Sequence, residues 1–237
     1  MTNARLEILG AIKDTLHGTG RSETGAEMPV DNEAAKRRLQ DRPASLIPAR
    51  GRLGDKARLD LFIREAERVN ATVARVSSIA GVPREVARYL AKNNLPVELK
   101  IAPAISEGAV PWTQQTLLSV SEGTADGSEF VGVSRAFAGV AETGTLVMLS
   151  GSDNPTTLNF LPPTHVVVIS ASEITGDYEE SWSQLREKGQ EGCFMPRAVN
   201  WITGPSRTAD IEQKLLLGMH GPQRLHIVIV DDETASR

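Results

Sequence analysis

From residue 55 onward, segments patterned like helices alternate with segments patterned like strands. Apolar residues recur at helical spacing over 55–71 and 83–94. Runs rich in β-branched residues follow each of them, over 72–76 and 97–102. A parallel strand pair needs a crossover that returns the chain to the same end of the sheet, and a helix is the usual crossover. The alternation therefore predicts an α/β domain with an open, mostly parallel sheet.

The second half of the chain is richer in strand patterns than the first. The predicted strands are 117–123, 129–141, 144–151, 165–171, 198–204 and 225–231. A short helix near 154–161 and a longer one over 177–189 interrupt them, and a third helix, which includes Asp210, is predicted after Ser206. We expect all of these segments to belong to one α/β domain that covers residues 55–237.

The region before this domain has a different character. Apolar residues at helical spacing predict a short amphipathic helix, and they are Leu6, Leu9, Ile12 and Leu16. Over 18–54, Gly, Pro and charged residues dominate without a sustained period, which predicts a flexible arm. Residues 1–54 are therefore assigned to an N-terminal helix and arm. Either the arm is a tail that is mobile or rests on its own domain, or it clasps a partner or a second copy.

Composition excludes several functions. The 26 Lys and Arg against 30 Asp and Glu give a net charge of −4, so no broad basic surface for nucleic acid is expected. No apolar run reaches the roughly 20 residues of a membrane span, and the charged first residues do not resemble a signal peptide. The one cysteine, Cys193, can neither form an internal disulfide nor hold an iron–sulfur cluster by itself. We expect a cytoplasmic protein.

Common cofactor and metal motifs are absent from the sequence. It contains no Gly-rich nucleotide fingerprint of the G-x-G-x-x-G or P-loop kind and no G-x-S-x-G nucleophile elbow. The four histidines are too widely spaced for a set of metal ligands. The sequence therefore predicts neither a metal site nor a cofactor in this chain.

The segment AETGTLVMLSG, residues 141–151, places Glu142 at the end of a predicted strand. A carboxylate there can act as a general base, as a nucleophile or as an acceptor for a substrate hydroxyl, so Glu142 is the candidate catalytic residue. Its neighbours Thr143, Gly144 and Thr145 are candidate ligand-binding residues. The alternative is a hairpin turn with an exposed glutamate.

The segment 152–170 is the second one that is dense in polar residues and Pro. Asp153 or Asn154 before Pro155 can start a helical turn, which Pro162 ends before a buried strand. His165 at the start of that strand is either a proton carrier or a side chain that hydrogen-bonds to the backbone.

The third segment, 202–222, runs from a strand into a turn of small residues and then into the helix predicted after Ser206. Free backbone N–H groups at a helix start, two hydroxyls and a guanidinium favour a carboxylate or phosphate. The candidate ligand-binding residues of this turn are Gly204, Ser206, Arg207, Thr208 and Asp210. The alternative is structural: a hydroxyl caps the helix and Arg207 pairs with an acidic residue of the same turn.

The strings AETGTLVML, LNFLPPTHVVVI and TGPSRTADIEQKLLLGMHGPQRLHIVIVD resemble the signatures of the lactate utilisation protein C (LutC/YkgG) family, whose domain is called LUD. The resemblance is strong over residues 131–231 and rests more on pattern in the helical first half. It implies an open α/β sheet of the type shared by glucosamine-phosphate deaminases, ribose-phosphate isomerases and CoA transferases.

The resemblance also implies a function. The family is associated with oxidation of L-lactate to pyruvate together with partner proteins whose cysteines hold iron–sulfur clusters. We therefore expect a non-redox, accessory component of such a system that binds a small anionic ligand, with no cofactor in this chain and the clusters in its partner subunits. The alternative is an independent enzyme acting on a small phosphorylated or acyl-CoA substrate.

Both candidate segments end predicted strands, and ligands of open α/β sheets bind beyond the carboxyl ends of strands. We therefore expect Glu142 and the turn from Ser206 to Thr208 to converge on one anion-binding pocket.

Overall fold

The structure is a computed structural model that describes residues 46–190, 196–208, 216–218 and 220–231, together with Glu33, Lys36, Arg37 and Asp41. The chain divides into two units, Met1–Ser45 and Leu46–Arg237. In the first unit, Lys36 Nζ lies 3.1 Å from Glu33 Oε1, one helical turn away. The predicted amphipathic helix lies outside the described residues.

The described part of the second unit contains four α-helices, twelve strands and short 3₁₀ turns. The helices are α1 (Asp55–Arg68), α2 (Val82–Lys92), α3 (Thr157–Phe160) and α4 (Tyr178–Gln190). The strands are β1 (Thr72–Val76), β2 (Glu98–Ile101), β3 (Ser119–Glu122), β4 (Val131–Arg135), β5 (Ala138–Val140), β6 (Thr145–Leu149), β7 (Thr164–Ser170), β8 (Ile174–Thr175), β9 (Val199–Ile202), β10 (Arg207–Thr208), β11 (Leu216–Leu217) and β12 (Arg224–Val230). None of the described helices combines the length and the apolar character that crossing a bilayer requires.

A six-stranded sheet forms the centre of the fold, in the order β1-β12-β7-β4-β2-β3. Every strand pair in this sheet is parallel. The central strands β7 and β12 are almost wholly buried, which is why their sequences are continuous aliphatic runs and not alternating patterns. The predicted α/β class with a mostly parallel sheet is confirmed.

The helices follow from the spacing of their apolar residues. In α2, Val82, Val86, Tyr89 and Leu90 are buried, and their spacing places them on one face of the helix against the sheet. Helix α2 ends where the side-chain amide of Asn93 donates to the Tyr89 carbonyl at 2.8 Å. Helix α1 packs on the opposite face of the sheet through its own buried apolar residues.

The segment 129–141, predicted as one strand, is two strands in two different sheets. The Ala136 N–H still donates to a carbonyl of β7, whereas the Phe137 N–H donates to a carbonyl of β6 at 2.8 Å. The chain therefore changes sheets between these two residues. Gly139 makes the crossing possible, because a Cβ there would lie 2.9 Å from Phe62 Cε2.

The second sheet has the order β8-β5-β6-β9. Its pairs β5–β6 and β6–β9 are antiparallel, and β5–β8 is parallel. One face of this sheet shares an apolar core with α1 and the six-stranded sheet, and α4 contacts its strands β5 and β8. The sequence predicted strand patterns at β5, β6 and β9, but it predicted neither β8 nor the separation of these strands from the parallel sheet.

Residues 46–54, predicted as the end of the arm, lie within the second unit. They include a short 3₁₀ turn, Ala49–Gly51, that packs against the start of α4. Gly51 is buried, and a Cβ there would lie 3.1 Å from Asp177 Cβ. This turn also brings Arg50 to Glu142, with Arg50 Nη2 3.5 Å from Glu142 Oε1.

Candidate functional site

A cleft of about 750 Å³ opens at the carboxyl ends of β2, β4 and β7. It is lined by the last residue of β4, by the turn after β7, by the loop 150–154 after β6 and by the last turns of α4. Ligands of open parallel sheets bind at this edge, because side chains and loops that follow neighbouring strands meet there. The cleft is therefore the candidate functional site.

An ion pair between Arg135 and Glu173 lies in this cleft. Arg135 ends β4, and its Nη2 donates to Glu173 Oε1 at 2.6 Å. The side chains are 35% and 28% exposed, respectively, so both are accessible to a ligand in the cleft. An arginine has five N–H donors, and the contact with Glu173 leaves others for a second carboxylate or a phosphate.

Glu173 is held in place by the backbone before it. It ends a 3₁₀ turn that begins after Ser170, and the two residues form a capping box. The Ser170 N–H donates to Glu173 Oε2 at 2.9 Å, so one carboxylate oxygen is fixed by the chain and the other by Arg135. The orientation of this carboxylate is therefore determined before any ligand binds.

The backbone of Arg135 is clamped by a buried amide, that of Asn154. The Asn154 Nδ2 donates to the Arg135 carbonyl at 3.1 Å and to the Leu149 carbonyl at 3.3 Å. The Arg135 N–H donates back to Asn154 Oδ1 at 3.4 Å. The clamp joins the ends of β4 and β6, and it belongs to the second polar segment predicted from the sequence.

Helix α4 closes the opposite side of the cleft with Glu187 and Lys188. Lys188 Nζ lies 5.4 Å from the centre of the Phe137 ring. Together with Asp153 in the loop, the cleft carries charges of both signs. Such a lining can hold an anion on its cations while its carboxylates accept hydrogen bonds from a hydroxyl of the same ligand.

The predicted catalytic residue Glu142 lies in the turn between β5 and β6, and it is not among the residues that line the cleft. Its side chain is only 12% exposed and faces Arg50. The hairpin turn of the alternative interpretation is present, but the glutamate in it is not exposed as that interpretation required. Its assignment as a catalytic residue stays a prediction.

The structure brings the two predicted segments together through a cluster of hydroxyls. Thr145 Oγ1 lies 2.7 Å from both Thr143 Oγ1 and Thr203 Oγ1. The Tyr178 hydroxyl lies 2.9 Å from Thr143 Oγ1 and 3.1 Å from Thr145 Oγ1. The segments meet because β9 runs antiparallel to β6, so the end of β9 lies beside the start of β6.

Both segments also lie against the C-terminal end of α1. Gly144 and Gly204 have φ values of +65° and +73°, and a Cβ at either would overlap the backbone of Ala66 or Val69. The Arg207 guanidinium donates to the Val69 carbonyl. The carbonyl end of a helix carries partial negative charge, which favours a cation such as Arg207 and disfavours a bound anion.

Ser206 is followed by a short strand. Arg207–Thr208 is strand β10, which pairs antiparallel with β11, and the helical turn predicted to contain Asp210 lies outside the described residues. The Ser206 N–H donates to the Pro222 carbonyl at 2.9 Å. Asp210 lies outside the described residues, as does the side chain of Thr208.

The two histidines of the parallel sheet are both buried. His165 Nε2 lies 2.7 Å from Ser134 Oγ, and burial lowers the pKa of His165 to about 3. His226 stacks on Tyr89 with the rings 3.9 Å apart. His165 is therefore a neutral core residue and not a proton carrier at the sheet edge. Within the part of the chain that the structure describes, no group of acidic, His or Cys side chains could hold a metal ion.

Sequence reasoning missed Arg135 and Glu173. Arg135 fell inside the single strand predicted over 129–141, so its position at a carboxyl end was hidden. The signal was present, since Arg135 is the only charged residue between positions 130 and 141. For Glu173 the signal was weaker: it lies three residues beyond a strand end, which becomes informative only once the order of the strands is known.

A family model described as the LUD domain matches residues 59–230. A lactate utilization protein C of Geobacillus sp. strain WCH70 is 36% identical over 102 residues, which cover 43% of this chain and 42% of that protein. A protein of the same description from Exiguobacterium sp. is 33% identical over 146 residues, 62% of each chain. For the first of these relatives, the match thus spans less than half the length of the relative.

A solved structure shares the fold. It is the crystal structure of a DUF162 family protein from Deinococcus radiodurans, with a TM-score of 0.55 and 20% sequence identity. The match covers 75% of this chain and 99% of that chain. At this identity the likeness supports the α/β fold alone.

Proposed function

Because this chain belongs to the LUD domain family, we propose that it is a component of a lactate-utilisation system that binds the small hydroxy acid in the cleft beside Arg135. It acts in the cytoplasm as a non-redox subunit, and the iron–sulfur clusters reside in partner proteins. The relatives described as lactate utilization protein C suggest L-lactate as the ligand, and the geometry of the cleft suggests where it binds.

The observation that carries the proposal is the position of the Arg135 guanidinium. It lies at the carboxyl edge of the parallel sheet, partly exposed, with donors that the pair with Glu173 does not use. A guanidinium can form two parallel hydrogen bonds with a carboxylate, whereas the ammonium group of Lys188 cannot, so a ligand carboxylate should bind to Arg135. A small 2-hydroxy acid offers such a carboxylate.

The proposed division of work follows from the electron balance of the reaction. Oxidation of L-lactate to pyruvate removes two electrons and two protons from the substrate. A four-thiolate cluster needs more cysteines than this chain has, since Cys193 is the only one in the sequence. We infer that this chain holds and orients the hydroxy acid and that the electrons pass to clusters in partner subunits.

Binding of L-lactate to the purified chain tests the site. We expect isothermal titration calorimetry to show that Arg135→Gln weakens L-lactate binding about 10- to 100-fold, as expected for loss of a hydrogen bond to a charged group. The matched control is Arg75→Gln, because Arg75 pairs with Asp231 at the same edge of the sheet but does not line the cleft.

Two outcomes would contradict this function. If the wild-type chain did not bind L-lactate, the proposed ligand would be wrong. If Arg135→Gln and Arg75→Gln lost affinity equally, the proposed location of the binding site in the cleft would be wrong.

Growth on L-lactate tests the role in the lactate-utilisation system separately. A strain that lacks the gene should regain growth with the wild-type gene and with the Arg75 variant but not with the Arg135 variant.

A further inference from the structure

We propose that Glu173 is the residue that makes the cleft selective for a 2-hydroxy acid over the corresponding 2-keto acid. This inference rests on the proposed function, because it concerns the ligand that Arg135 holds. It assigns to Glu173 the recognition of the hydroxyl group, which is the group that distinguishes L-lactate from pyruvate.

The geometry supports this role because the carboxylate of Glu173 is both fixed and accessible. The Ser170 N–H holds Oε2 at 2.9 Å, and Arg135 Nη2 holds Oε1 at 2.6 Å. A carboxylate offers about four lone-pair directions, and these two contacts use two of them. The Glu173 side chain is 28% exposed and lines the cleft, so a ligand in the cleft can reach this carboxylate.

The spacing of the two functional groups fits a 2-hydroxy acid. Arg135 and Glu173 are in direct contact, so a ligand carboxylate on the guanidinium brings its neighbouring carbon atom close to Glu173. In L-lactate that carbon carries a hydroxyl, which can donate to the carboxylate. In pyruvate it carries a keto oxygen, which can only accept and therefore faces another acceptor.

The consequence is a difference in affinity between substrate and product. A site built to pair with a donor rejects an analogue that lacks the donor, since its own polar group is then left without a partner. Pyruvate should therefore bind less tightly than L-lactate. Propionate, which has neither group, should also bind less tightly than L-lactate, because it cannot donate to Glu173.

The test measures the affinities of L-lactate, pyruvate and propionate by isothermal titration calorimetry. For the wild-type chain we expect L-lactate to bind about 10-fold or more tightly than pyruvate, with propionate also weaker than L-lactate. In Glu173→Gln, the amide oxygen can still accept from the Ser170 N–H, but the amide N–H₂ then replaces the oxygen that accepts from Arg135, so both ligands should bind more weakly than to the wild-type chain. The amide can donate to the keto oxygen of pyruvate, so the ratio of the two affinities should fall to near one.

The matched control is Glu122→Gln, which removes an exposed carboxylate at the end of β3, outside the lining of the cleft, and should leave the ratio unchanged. The comparison of the three ligands on the wild-type chain stands even if the Glu173 variant fails to fold. Equal affinities for L-lactate and pyruvate on the wild-type chain, or an unchanged ratio in a folded Glu173 variant, would overturn this inference while the proposed function stands. Absence of binding of all three ligands would overturn both.

Discussion

At the scale of single residues, the burial of His165 makes the stability of the fold depend on pH. Burial holds its pKa at about 3, well below the ordinary value of 6.5. Between these two values the unfolded chain binds a proton at this residue and the folded chain does not, so acidification favours unfolding. Above about pH 6.5, His165 is neutral in both states and does not lower the free energy of unfolding. As the pH falls below about 6.5, protonation of His165 in the unfolded chain lowers the free energy of unfolding progressively.

The variant His165→Gln tests this linkage. Between about pH 7 and about pH 5, we expect the free energy of unfolding of the wild-type chain to fall by about 2 kcal/mol more than that of the variant. Urea unfolding at the two pH values measures both. Because His165 is fully buried, we expect the variant to be less stable at neutral pH as well, so the pH dependence and not the absolute stability is compared. If the free energy of unfolding changed equally with pH in the wild-type chain and in the variant, the proposed difference in the pKa of His165 between the folded and unfolded chain would be wrong.

Single residues also mark the limit of prediction for the site. Patterns of polar residues identified the segment that contains Asn154, whose amide clamps Arg135. They did not identify Arg135 or Glu173, because the chemistry of these side chains depends on which strands are neighbours. Strand order is a property of the whole sheet and has no local signature in the sequence.

At the scale of elements, substitutions of Arg207 distinguish two roles of the turn after β9: binding an anion, or stabilising the C-terminal end of α1. Its guanidinium donates to a carbonyl at the C-terminal end of α1, where a positive charge is stabilising. We expect Arg207→Gln to lower the free energy of unfolding by about 0.5 to 1 kcal/mol and Arg207→Lys to lower it less, because lysine keeps the charge. Neither change should alter L-lactate affinity in calorimetry.

The opposite pattern would restore the anion pocket predicted from Glu142 and the Ser206 turn. In that case, Arg207→Lys would weaken ligand binding at an unchanged melting temperature, since the two-pronged contact would be lost while the fold stayed intact. A parallel loss of L-lactate affinity in Glu142→Gln would add support for that pocket.

The change of sheets between β4 and β5 explains most of what the sequence could not predict about the elements. Residues 129–141 have the β-branched and small residues of a single strand, and their pattern does not indicate where one strand ends and the next begins. The break follows from tertiary packing: Gly139 lies against Phe62 of α1 and Ile169 of β7, so β5 can cross there. The alternation of elements predicted the parallel sheet well because crossover helices constrain it locally.

At the scale of the whole molecule, the count of cysteines leads to a test of redox competence. We expect the purified chain to contain no stoichiometric iron and to reduce no dye with L-lactate until the iron–sulfur partner proteins are added. Elemental analysis and a dye-reduction assay measure this. About four irons per chain, or L-lactate-dependent reduction by the isolated chain, would contradict the division of work proposed above.

The position of β12 governs the order in which the sheet can be completed during synthesis. It is the last described strand in the chain, yet it lies between β1 and β7, and β1 pairs with no other described strand. Until the ribosome has delivered β12, the backbone edges of β1 and β7 remain open to pairing with other chains. Strand β1 thus waits for its partner from residue 76 to residue 224, and both edges are open while residues 171–223 are made, so the need for chaperones should be greatest in that second interval.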